Sequence, residues 1–133
     1  MKELNKLERK VVGLVDRNQT PPIDPQVLKM VEKLKGGNDQ EGVLDIQKSR
    51  EDFGVSMKAI RHSLEKANTE ELDALAQEIT HEALKIGACR VLEVAFELQS
   101  AARRRDLEFA PQVVDHLEME IYFACEYLAS RHG

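Results

Sequence analysis

The chain has no tryptophan, and aromatic residues fill only 5% of its 133 positions. Recognition by stacking bases on aromatic platforms therefore has little to work with. Cysteine is almost missing as well. Cys89 and Cys125 stand far apart, in helical patterns and without Cys-x-x-Cys spacing, so they read as reduced core or semi-buried thiols. That pattern excludes a disulfide framework and a zinc cluster. No apolar run approaches the ~20 residues needed to cross a bilayer. The opening stretch, MKELNKLERK, has no apolar core of a secretory signal, so the expected location is the cytoplasm. An excess of positive charge is lacking too: 19 Lys and Arg stand against 24 Asp and Glu, a net charge of −5. Nucleic-acid binding wants a basic face, and the only basic cluster is Arg103-Arg104-Arg105. Its position suits the cationic end of a helix. There is no alternating strand pattern, no internal repeat, no nucleophile elbow and no phosphate loop. Neither an enzyme nor a cofactor is expected.

What is present is helical periodicity. Apolar residues at 42% and charged residues at 32% describe a folded globular chain of one domain. Leu4, Leu7, Val11, Leu14 and Val15 form a first stripe over about residues 2–17, which Pro21 and Pro22 interrupt. Asp24 followed by Pro25 is a helix start, and Val27, Leu28, Val31 and Leu34 continue it to the Gly36-Gly37 stop. A third segment, about residues 40–67, carries Val43, Ile46, Phe53, Met57, Ile60 and Leu64 on one stripe. Gly42 and Gly54 weaken it and allow a kink in its first half. Asn68-Thr69-Glu70-Glu71 caps the next helix. Ala88, Val91, Leu92, Ala95, Leu98 and Ala102 make another stripe, and Ala110, Val114, Leu117, Ile121, Ala124 and Leu128 make the last. These segments predict an all-α, antiparallel up-and-down four-helix bundle with one or two extra N-terminal helices. Residues 1–22 are expected to be an N-terminal helix and Pro-containing linker, and residues 23–133 the bundle.

The helix over residues 72–88 has an unusual outer face. Leu72, Leu75, Ala76, Ile79, Ala83 and Ile86 fall on one side, and Ala74, Gln77, His81, Leu84 and Ala88, with Lys85 beside them, on the other. A solvated face is normally rich in Lys and Glu. Small and apolar residues around one imidazole predict a surface that a partner covers. The stripe of residues 2–17 is an alternative cover for the same patch.

Ala76, Ile79, Ile86-Gly87-Ala88, Val91 and Leu98-Gln99-Ser100-Ala101-Ala102-Arg103-Arg104-Arg105-Asp106 carry a family likeness. Read as one ungapped stretch, they resemble the histidine phosphotransfer (HPt) domain family, the four-helix modules of bacterial phosphorelays. Ile23-Asp24-Pro25, Leu28 and Phe53 extend the resemblance, which covers about residues 23–130. The family pattern runs Ala-His-x-Leu-Lys-Gly-Ser, Ile-Gly-Ala, and Leu-Glu-x-Ala-Ala-Arg-x-Gly-Asp. By that correspondence the phosphoacceptor histidine is replaced by Gln77, the lysine by Thr80, the glycine by His81, the serine by Glu82 and the later glycine by Arg105. An amide does not form a phosphohistidine-type intermediate, so the resemblance implies a degenerate member at position 77.

His81 lies one helical turn beyond Gln77, and Lys85 one turn beyond that, on the same face. Phosphoryl transfer needs an exposed nucleophile, a cation and a surface open to the donor. The expected role is docking of a response-regulator receiver domain or a histidine kinase through Ala74, Gln77, His81, Leu84, Lys85 and Ala88, without phosphate relay. Two alternatives stand beside it: active transfer through the shifted His81, and a structural or oligomerising bundle, including a homodimer. His62 reads as a surface residue of the preceding helix, His116 adjoins Asp115 and Glu118 in the last helix, and His132 is terminal. Glu78-Ile79-Thr80-His81 matches one half of a di-iron motif, which needs a second such pair and two further glutamates, so no metal is expected.

Overall fold

Each of the apolar stripes from Phe53 onward can leave water only by facing the others, and in the computed structural model, which describes residues 21–27, 29 and 46–132, they do so around one core. Helix α1 spans Ile46–Glu65, α2 Thr69–Lys85, α3 Cys89–Arg103 and α4 Ala110–His132. Helix α1 packs on α2, α2 on α3, α3 on α4 and α4 back on α1, the square of an up-and-down bundle. Helices α2 and α4 are thus diagonal. No strand occurs among the described residues. The expected helix over residues 2–17, most of the second one and Val43 lie outside the described residues.

Helix α1 runs through Gly54 without a break. Phe53, Met57, Ile60, Leu72, Ile79, Leu92, Leu98, Val114 and Leu117 fill the centre. The helices begin and end on local signals. Asn68 accepts the Glu71 amide at 3.1 Å, while Glu71 accepts from Ser63 Oγ at 2.7 Å. Asp24 accepts the Gln26 amide at 2.9 Å and opens the helical residues 25–27 as expected.

The three interhelical turns share one construction. Asn68 N–H donates to Ser63 O and Ala67 N–H to Leu64 O. Ala88 N–H donates to Ala83 O and Gly87 N–H to Leu84 O, and Asp106 N–H to Ala101 O and Arg105 N–H to Ala102 O. Each is a Schellman closure whose pivot takes a left-handed backbone, at φ 56° for Ala67, 73° for Gly87 and 56° for Arg105.

Candidate functional site

The capping of α2 by Asn68 fixes its rotation against α1 and α3. Leu72, Ala76, Ile79, Thr80, Ala83 and Leu84 are turned inward, and Glu70, Ala74, Gln77, Glu78 and Lys85 are exposed. His81 is half-buried on the outer stripe. Ala74, Gln77, His81 and Lys85 therefore follow one another along the outside of α2, about one turn apart.

Two expected members of that face are not on it. Leu84 is 2% exposed and Ala88 fully buried. Leu84 lies one turn after Thr80 on an inward arc that widens toward α3, the helix on which α2 packs most extensively. Ala88 is not part of α2 at all. The helix ends at Lys85, Gly87 reverses the chain, and Ala88 becomes the residue before α3, delivered into the core. The segment at residues 21–27 completes the burial of this end. Asp24 N–H donates to Gly87 O at 2.8 Å, and Ile23 and Val27 join the same core cluster as Leu84 and Ala88. That part of the apolar patch is thus internal, and the outer stripe is more polar than expected.

The surroundings of His81 are acidic. Its depression lies between α1 and α2 and is lined by Asp52, Val55, Ser56, Glu78 and Glu82. Lys85 Nζ is 3.7 Å from Glu82 Oε2, so the cation expected to serve the imidazole is engaged by a carboxylate. Phosphoryl transfer moves negative charge onto the acceptor nitrogen. Three carboxylates facing that nitrogen's depression oppose this, where a productive site would supply positive charge. Thr80, in place of the family lysine, is buried, and its hydroxyl donates to Gln77 O at 2.6 Å. Asp52, Val55 and Ser56 were not legible as site residues. They sit two helical turns along α1, and only tertiary packing brings them beside His81.

Among the described residues no group of three or more His, Cys, Asp or Glu side chains is arranged to hold a metal ion. Cys89 and Cys125 are unpaired and buried. His62 is exposed, as expected. His116 is half-buried, with Nε2 at 3.4 Å from Glu120 Oε2. Glu120 is buried, accepts from Arg90 Nε at 3.2 Å, and keeps its Oε1 3.0 Å from the same guanidinium without hydrogen-bond alignment. Arg103 closes α3 as a cationic last turn and donates to Asp73 of α2 at 3.1 Å. No described helix is long and apolar enough to cross a membrane.

No protein-family profile matches the sequence, and no curated protein matches it. Among solved structures, the fold matches the crystal structure of histidine-containing phosphotransfer protein B (HptB) from Pseudomonas aeruginosa PAO1 with a TM-score of 0.73. The two are 18% identical over 85% of this chain and 96% of that one.

Proposed function

We propose that this chain is an HPt-like signalling protein of a two-component phosphorelay that docks a receiver domain or a histidine kinase through the outer face of α2 and passes no phosphate on. The fold shared with HptB, the HPt-like run of residues 76–106 and the outward stripe of Ala74, Gln77, His81 and Lys85 support it. One observation carries the reading. The family's phosphoacceptor position is exposed and held by an amide, while the nearby imidazole stands among Asp52, Glu78 and Glu82. Ala74, Gln77, His81 and Lys85 remain on the outside of α2, and an amide stands where the family has its nucleophile. A small, largely polar face of this kind suits a transient complex. Such a complex sequesters or positions a receiver.

The test uses a panel of receiver domains phosphorylated with acetyl phosphate and Mg²⁺. At least one receiver is expected to bind in titration calorimetry, with no acid-labile phosphate appearing on the chain. Ala74→Arg, in the middle of the face, is expected to weaken that binding by about tenfold or more. Label on the wild type that disappears in His81→Ala would instead establish active transfer. The absence of any binding across receivers and kinase domains would refute docking.

A further inference from the structure

The scarce large apolar side chains are not all inside. Met119, Tyr122 and Phe123 are 50%, 56% and 41% exposed, at i, i+3 and i+4 spacing on the outside of α4. The Tyr122 and Phe123 rings lie 5.9 Å apart, and Arg90 is placed 6.0 Å from the Phe123 centroid. Beside them runs a groove of about 450 Å³ between α1 and α4, floored by Phe53, Met57, Ile121 and Cys125. Tyrosine, phenylalanine, methionine and arginine are the residues enriched in the buried centres of protein interfaces. Its aromatic residues lie on α4, the helix diagonal to α2.

We infer that the α1–α4 face is a homodimer interface in which Tyr122 of one copy packs on Gly54 of the other. The charges on the face point to a second copy of this chain. Its α1 edge carries Arg50, Lys58 and Arg61, and its α4 edge carries Glu126, Glu118 and Asp115. Arg50 pairs with Glu126 at 3.3 Å, and Arg61 with Glu118 at 2.7 Å and Asp115 at 3.2 Å. Cations and acids therefore stand at matching heights. A two-fold axis along the groove, parallel to the helices, sets the cationic edge of each copy against the acidic edge of the other. The surface is self-complementary, as a two-fold interface must be.

The same heights put Gly54 level with Tyr122, four residues in from the Arg50–Glu126 pair on each helix. A Cβ built on Gly54 would meet nothing within 4 Å. A bare stretch of helix thus lies opposite the position that the partner's ring takes. The described N-terminal segment does not enter the groove: Asp24 is fixed to Gly87 at the α2–α3 turn, on the opposite edge of the bundle.

Sedimentation equilibrium on the full chain tests the interface. The wild type is expected to reach twice the chain mass at tens of micromolar. Tyr122→Glu and Gly54→Arg are each expected to raise the dimer Kd by at least about 30-fold, the threshold of an interface hot spot. Arginine forms helix better than glycine, and the site is open, so Gly54→Arg should keep its far-ultraviolet circular dichroism. A wild type that stays monomeric near 1 mM would overturn the inference. So would a dimer that survives both substitutions, or one that dissolves only when residues 1–20 are removed.

Discussion

The Cys89 thiol is pushed up to about 12, chiefly by burial, with the Asp24 carboxylate adding to the shift. A thiolate there would be both desolvated and next to a negative charge. The consequence for stability has a definite sign. Above pH 9 the unfolded chain ionises this thiol while the folded chain keeps it protonated, so the unfolded state gains. Stability is fully present below about pH 9 and falls as pH rises toward 12, by at most about 1.4 kcal/mol per pH unit. Urea titrations of the wild type and Cys89→Ala across pH 8–11 check this. The wild type should lose stability more steeply with pH, and parallel curves would contradict the assignment. The same burial makes the thiol slow toward alkylating reagents in the folded protein.

The turns are where the elements depart from the easiest choice of residue. Of the three Schellman pivots only Gly87 is glycine; Ala67 and Arg105 hold φ 56° with a Cβ present. The left-handed region costs an ordinary L-residue roughly 1 kcal/mol relative to glycine. Arg105→Gly, at an exposed position that makes no use of its side chain in the turn, is therefore expected to raise stability by about 1 kcal/mol in thermal unfolding. Gly87→Ala should lower it by a similar amount or more, because the turn it pivots also receives Asp24. The HPt family pattern has glycine where this chain has Arg105, which makes the strained pivot readable in retrospect. The helices themselves were legible because their stripes are long. Every apolar residue expected to line α3 and α4 is buried, and Asn68 and Asp24 cap as read. The outer face of α2 was legible at Ala74, Gln77 and Lys85, and it failed at Leu84 and Ala88 for two physical reasons. A wheel drawn on one helix does not know which neighbour it packs on most closely. It also runs on past Gly87, where the backbone turns away. Asp52, Val55 and Ser56 beside His81 were hidden for a related cause, since their place depends on which residues two separate helices bring side by side.

At the scale of the whole molecule, the square arrangement sets Ala74 and Tyr122 on diagonal helices, while α1 borders both proposed surfaces. Neighbouring helices in such bundles lie 8–10 Å apart, so the outer faces of the diagonal pair α2 and α4 stand roughly 20 Å from one another. The core between them is continuous and contains no hinge among the described helices. A dimer formed through α1 and α4 then carries its two α2 helices on opposite outer sides. Ala74 and Tyr122, this far apart and with no shared side chains, are expected to act independently. Ala74→Arg should weaken receiver binding and leave the dimer Kd unchanged, and Tyr122→Glu should do the reverse. In the double variant the two free-energy changes should add to within about 0.5 kcal/mol. On a surface densely coated with receiver, the wild-type dimer should also dissociate more slowly than Tyr122→Glu, since its second face rebinds before the first is lost. In solution, with monomeric receiver, that advantage should vanish. A coupling well beyond 1 kcal/mol in the double variant would mean that the bundle transmits strain from one face to the other, and that docking and dimerisation are a single linked equilibrium.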